Sequence, residues 1–232
     1  MTLKSSCVGY YKFEESSGNF VDAVGNQDAS NTGSDYQQTG KIDYGISMAG
    51  GSDYLLFGDQ SNFEFGSNWS VSVWLKFTST AAQQIFTLDS GGSDRAYLCY
   101  VYNGKIAMTV WNADASTSSI ANGGSDVSDD TYHHFVWVYN EGYVYGYVDG
   151  ALCCSQEVNS GTSTKSVTST CYVGRKVAGE YYGGDLDELS VYHESLTLTQ
   201  VQELYNSGSP GSDQQYPFGA GDARVYDSPY VY

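Results

Sequence analysis

Between Trp69 and Phe77 the chain alternates without a break. Trp69, Val71, Val73, Leu75 and Phe77 fall on one side of an extended backbone, and Ser70, Ser72, Trp74 and Lys76 on the other. A period of two predicts a strand with one face against a core. Similar runs flank it. Cys7–Phe13 predicts a first strand, and Tyr44–Phe57 holds two short apolar runs around Gly50-Gly51. Gln84–Leu88, Ala96–Tyr102 and Lys105–Trp111 follow at even spacing, the last two joined by Asn103-Gly104, a two-residue hairpin signal. Tyr132–Gln156 reads as three strands joined by turns at Glu141-Gly142 and Asp149-Gly150. Ser16–Gly40 and Ala113–Asp130 are polar and predict loops.

Near the end the period changes. Cys171–Gly174 is a short apolar run closed by glycine. Asp185–Tyr192 alternates, which predicts that Leu189 and Val191 share a face with Asp185 and Asp187. Val201, Leu204 and Tyr205 then recur at helical spacing. Thr197 followed by Gln200 is a capping box, and Gly208 stands where a helix C-terminus favours positive φ. One short helix therefore closes a domain spanning residues 1–208. Residues 209–232 hold all three prolines and a run of tyrosines, the composition of an extended tail. Such a tail is expected to reach a neighbouring subunit, by strand addition through Ala223, Arg224, Val225 and Tyr226.

Composition agrees with an all-β body: 27 Gly, 22 Tyr and only 3 Pro in 232 residues. Lys and Arg total 10 against 27 Asp and Glu, a formal charge of −17, which argues against nucleic-acid binding. No apolar run approaches a membrane span, so no membrane insertion is expected. Met1–Val8 has neither the apolar stretch nor the cleavage site of a signal peptide. The five cysteines are an odd number, so at least one is expected to be free or to pair between chains. The adjacent Cys153 and Cys154 are expected on opposite faces of one strand. The three histidines lack zinc spacing with any cysteine.

Four segments carry a resemblance. Gly184–Tyr192 (GDLDELSVY) and Leu196–Tyr205 (LTLTQVQELY) are similar to the closing strand and helix of laminin G-like, concanavalin A-like jelly rolls. Tyr132–Tyr139 with Val144–Gly150 resembles the family's paired strands W-H-H-V-A-V-x-Y and V-x-L-Y-V-D-G. Here tyrosine stands for tryptophan at 132, and glycine for an apolar residue at 146. Trp69–Lys76 and Val8–Glu15 resemble two further strands. The resemblance implies a two-sheet antiparallel jelly-roll sandwich with one short C-terminal helix. A fold of this kind hosts many functions, so the site must decide.

The resemblance also implies a structural calcium where the first loop meets the last strand. Asp22–Gln27 matches the family's D-x-S-G-N-G loop at three positions, which nominates Asp22 and Asn26, with Asp187 from the last strand and Asp185 as a spare. Read from the residues alone, Asp22 equally suits a hydrogen-bonded turn without metal. Tyr143, Tyr145 and Tyr147 line one face of their strand, as a platform for sugar rings, a cross-strand ladder or a subunit surface. His133 and His134 point opposite ways and cannot act together. No G-x-S-x-G occurs, and Asp187 and Glu188 are expected on opposite faces, so no retaining acid pair is built.

These readings point away from an enzyme. The leading expectation is a structural or display protein of a larger assembly, a phage or viral particle component such as a capsid decoration or tail fibre, with surface glycans as further partners. A calcium-dependent lectin or adhesion module is the alternative, and a glycoside hydrolase with degenerate acids the third.

Overall fold

The computed structural model describes residues 3–25, 27–58, 60–89, 91–92, 94–111, 118–158, 163–168 and 170–207. Asn26, Gly208 and the extension 209–232, with Ala223, Arg224, Val225 and Tyr226, lie outside the described residues. In chain order the elements are α1 (Leu3–Ser6), β1 (Cys7–Tyr11), β2 (Ala29–Thr32), β3 (Asp35–Thr39), β4 (Tyr44–Ala49), β5 (Tyr54–Phe57), β6 (Asn68–Lys76), β7 (Gln83–Asp89), β8 (Arg95–Tyr102), β9 (Lys105–Trp111), β10 (Ser118–Gly123), β11 (His133–Asn140), β12 (Tyr143–Val148), β13 (Ala151–Glu157), β14 (Cys171–Val173), β15 (Gly183–Tyr192) and α2 (Leu198–Ser207), with a short 3-10 turn at Gln60–Phe63.

The strands form two antiparallel sheets. One runs β13-β12-β11-β6-β15-β4-β3 with β1 also paired to β15; the other runs β10-β9-β8-β7-β14-β5-β2. This is the two-sheet jelly-roll sandwich that the alternation and the resemblance predict. Trp69, Val71, Val73, Leu75 and Phe77 are buried between the sheets with Phe86, Tyr97 and Trp137. Each buried aromatic removes a large apolar area from water, which favours one packed body over two loose sheets. The turns at Asn103-Gly104, Glu141-Gly142 and Asp149-Gly150 all place both residues at positive φ, the twist a tight hairpin requires.

A second buried cluster covers the outer face of the eight-stranded sheet. Val201 and Leu204 of α2 pack there on Tyr10, Val136, Val138 and Tyr147. The capping box forms as predicted: Gln200 N–H donates to the Thr197 hydroxyl, and the Thr197 N–H donates to Gln200 Oε1 at 2.8 Å. Because the helix lies there, Ser70, Ser72 and Trp74 are buried too, and both faces of β6 are dry.

Four readings are corrected. The polar stretches predicted as loops contain β2, β3 and β10, which close the edges of the sheets; their mostly polar sequences leave no apolar period to read. The alternation of β15 breaks at a bulge between Asp187 and Ser190, with Glu188 at φ 54°. Leu186 and Leu189 therefore both enter the core, so Asp185 and Asp187 do not share a face with Leu189 and Val191. For the same reason Asp187 and Glu188 lie on one side of the sheet rather than on opposite sides: Asp187 reaches Ile42 and Glu188 reaches Tyr10, both in or against the outer cluster. A second bulge, where Tyr147 pairs with Leu152 and Gly146 with Cys154, turns Cys153 and Cys154 to the same core. All five cysteines are free thiols.

Candidate functional site

The bulge in β15 sits where its neighbour changes. Residues Gly183–Leu186 pair with β4, and Leu189–Tyr192 pair with β1. Asp187 and Glu188 fill the seam between these partners. Asp187 Oδ2 accepts from the Ile42 N–H at 2.9 Å, and the Tyr10 hydroxyl donates to Glu188 Oε2. Both side chains are buried, and among the described residues Asp187 Oδ1 has no partner. Burial, and for Asp187 then the nearby Glu14, pushes its carboxyl well above the usual range. Burial followed by repulsion from Asp187 does the same to Glu188. Burial also pushes Glu14 up to about 7. For Asp187 and Glu188 burial thus favours the protonated form, and both lie inside the fold rather than offered to solvent.

Asp22 is buried beside the same seam. Its Oδ1 accepts from the N–H groups of Tyr10 and Val24 at 2.9 and 3.0 Å, and its Oδ2 from that of Gln27 at 3.1 Å. Oδ1 thus ties the first loop to β1, and Oδ2 closes the loop on itself. The bond from Val24 is that of an Asx turn, and the loop is held by hydrogen bonds to the Asp22 carboxylate. Among the described residues, no three His, Cys, Asp or Glu side chains gather as a metal-ion set. Asn26 lies outside the described residues, and the spare Asp185 binds Lys76 instead.

The tyrosine row runs along the outer face of β12. Tyr147 is buried in the cluster under α2, Tyr145 packs partly against it, and Tyr143 is exposed; Tyr143 and Tyr145 stack with centroids 6.4 Å apart. Gly146 faces the other way. A Cβ there would lie 2.7 Å from Cys154 Sγ and 3.0 Å from Ile106, which is the physical reason for the departure at 146. His134 is buried beneath α2. Its Nε2 lies 2.8 Å from the Ser72 hydroxyl, and its ring lies against Trp74 and Tyr205. Burial pushes its pKa down to about 3. His133 faces away and pairs with Asp149 at 2.6 Å, which raises its pKa.

One site the sequence did not single out lies at an end of the sandwich. The end of β4 (Met48–Gly50), the β6–β7 loop, Asp130, Tyr181 and the start of β15 enclose an open cleft of about 500 Å3. Lys76 Nζ lies 3.0 Å from Asp185 and 3.8 Å from Asp130, and the Gly183 N–H donates to Gln83 Oε1 at 2.8 Å. Gly184 stands where the wall doubles back: its φ is 153°, and a Cβ would lie 2.3 Å from the Lys76 carbonyl oxygen. The cleft joins residues from four separated segments, so no local spacing could have found it. Only the alternation that sends Lys76 away from the core gave a hint.

A two-layer antiparallel sandwich sealed by a helix, with an open cleft at one end, defines a jelly-roll architecture. The chain belongs to the concanavalin A-like lectin/glucanases superfamily, whose laminin G-type family matches residues 49–202. No curated protein matches it by sequence. Solved structures with the same fold include the binding domain of Paraclostridial Mosquitocidal Protein 1, at TM-score 0.72 and 14% identity, covering 89% of this chain and 53% of that one. Another is botulinum neurotoxin type C, whose cell entry depends on interaction with two ganglioside molecules, at TM-score 0.70 and 13% identity over 89% of this chain and 52% of that one. A third is the binding domain of botulinum neurotoxin DC in complex with SialylT, at TM-score 0.68 and 11% identity over 90% and 53%. The chain spans about half the length of these structures, and at such identities the likeness is one of fold.

Proposed function

We propose that this chain is a non-enzymatic, sugar-binding module that takes its ligand in the loop-end cleft. The observation that carries the reading is the convergence of Lys76, Gln83, Asp130 and Asp185 with the ring of Tyr181 around one open cleft. Sugar hydroxyls need donors and acceptors side by side, and a sugar's apolar face needs a flat partner. The gangliosides and SialylT of the structural neighbours support the same ligand class.

The acids argue for binding without turnover. A glycosidase needs two carboxyl groups flanking a reachable bond, roughly 5–10 Å apart. Asp187 and Glu188 are buried, and Asp185 is tied to Lys76. Thr131, His133 and Asp149 imitate a nucleophile relay, with Thr131 Oγ1 3.0 Å from His133 Nε2. The Thr131 hydroxyl, however, also binds Asp129 Oδ1 at 2.7 Å, so its proton has a carboxylate acceptor already.

The test is a glycan array followed by calorimetry on the full chain and on Gln83→Ala, Tyr181→Ala and Asp185→Asn. Binding that these variants weaken by about tenfold or more supports the cleft. An array without a positive glycan, binding indifferent to all three changes, or release of reducing sugar would sink the reading. In the same proposal the module is carried on a larger assembly, a phage or viral particle, through the extension 209–232. A chain cut after Gly208 should stay folded yet fail to assemble.

A further inference from the structure

Arg175 has an unusual set of partners for a cation in so acidic a chain. With a formal charge of −17, carboxylates are plentiful, and Lys76, Arg95 and Lys176 each pair with at least one. Among the described residues none pairs with Arg175. The acid closest to it in sequence, Glu180, is held by Lys176 at 2.5 Å and by the Gln84 amide at 2.7 Å. The Arg175 guanidinium instead lies against three tyrosine rings: Tyr54 at 4.7 Å, Tyr172 at 4.9 Å and Tyr181 at 5.4 Å.

The placement follows from the strands. In β5 and β14 the neighbours Leu55, Phe57, Cys171 and Val173 enter the core, so Tyr54 and Tyr172 stand on the outer face of their sheet, edge to face at 5.8 Å. Gly174, at φ 85°, turns the chain so that Arg175 folds back over both rings. The Thr87 hydroxyl fixes this turn by donating to the Arg175 carbonyl at 2.7 Å. The guanidinium's own contacts are long, Nε to the Lys176 carbonyl at 3.4 Å and Nη2 to the Val177 carbonyl at 3.5 Å. The three rings hold the group in place, while its fork of N–H donors keeps unused capacity. Tyr181 belongs both to this cluster and to the wall of the cleft.

We propose that Arg175 with Tyr54, Tyr172 and Tyr181 forms an anion-binding extension of the cleft that selects an acidic sugar, one carrying a carboxylate or a sulfate. This deepens the sugar-binding reading and rests on it. A rigid guanidinium matches a planar carboxylate or a sulfate edge with two parallel bonds, and the rings offer an apolar shelf for the sugar face. The general repulsion of the acidic chain is screened beyond about 8 Å at physiological ionic strength, so local contacts govern.

Calorimetry on the full chain tests this with four probes: sialyllactose, its neutral methyl ester, sulfolactose and lactose. The expected result is binding of sialyllactose, sulfolactose or both about tenfold or more tighter than of the neutral probes. Arg175→Gln should erase the difference between acidic and neutral probes; Arg175→Lys should restore only part of it. Which acidic probe gains identifies the anion as carboxylate or sulfate. Neutral sugars that bind as well as acidic ones, or an acid preference that survives Arg175→Gln, would overturn the proposal while leaving the cleft reading standing. If no probe and no arrayed glycan binds, the sugar-binding reading fails first and this one with it. Should Arg175→Gln fold poorly, the wild-type Arg175 Nε resonance decides. It should move with sialyllactose or sulfolactose and not with the ester, and a resonance that stays still under all four probes refutes the proposal.

Discussion

The Tyr10 hydroxyl donates to the Glu188 carboxyl across 178 positions of sequence, joining the first strand to the bulge of the last. The bond lies in a buried pocket that also holds Asp187. Burial raises both carboxyls, so the folded state binds protons that the unfolded chain releases above its ordinary carboxylate pKa. Stability from these groups is complete below about pH 4 and falls as pH rises toward their folded pKa values, by about 1.4 kcal/mol per pH unit for each proton held. Glu188→Gln keeps an acceptor for Tyr10 and removes the ionisation. It should raise the urea midpoint at pH 8 and have little effect at pH 4. A variant less stable than wild type at both pH values would show that Glu188 is charged in the fold.

Much of the fold was legible because burial is written as alternation. Trp69 to Phe77 and the turns at Asn103-Gly104 and Asp149-Gly150 could be read directly, as could the capping box of Thr197 and Gln200. The bulge was not, because Glu188 at positive φ is chosen by the change of strand partner beside it, and that is a tertiary event. The edge strands were hidden for the opposite reason: DYQQT and SSIANG are too polar to show an apolar period. The cleft and the Arg175 cluster draw on residues far apart in sequence, so only the fold brings them together.

The two histidines should titrate in opposite directions from their ordinary value. His134, neutral and buried with a pKa near 3, resists protonation; His133, beside Asp149, accepts it early. For His134 the unfolded chain gains the proton first, so stability is lost as pH falls from about 6.5 toward 3. For His133 stability is gained as pH falls through its raised pKa. An NMR titration should find the His134 ring uncharged at pH 4.5 and the His133 ring half-charged above pH 6.5. A His134 midpoint near 6 would mean that α2 does not seal the ring from water.

Gly146 is held small by Ile106 and Cys154. Gly146→Ala adds one carbon to a filled site and should lower stability by about 1–3 kcal/mol in chemical denaturation. Cys154→Ala removes the sulfur that the new carbon would meet, so the double variant should recover part of that loss. Strict additivity of the two changes would show that the clash is relieved elsewhere.

Asp22 offers the sharpest test of what fixes the first loop. Its carboxylate accepts from three backbone N–H groups, those of Tyr10, Val24 and Gln27. Removing it with Asp22→Ala strands these donors, the Tyr10 N–H in a buried place, and should cost about 2–4 kcal/mol. Asp22→Asn keeps only one acceptor oxygen and should fall between. A metal would add a separate signature: an ion bound at Asp22, Asn26 and Asp187 stabilises the folded state by an amount that grows with the logarithm of its free concentration, so chelation would lower the melting temperature of wild type and not of Asp22→Ala. The three backbone hydrogen bonds of Asp22 fix the loop without an ion, and the expected result is the other one, with wild type melting at the same temperature in calcium and in chelator. The Asp22→Ala loss should then be equal in both. A calcium-dependent shift confined to the wild type would establish the ion and demote the hydrogen bonds to its scaffold.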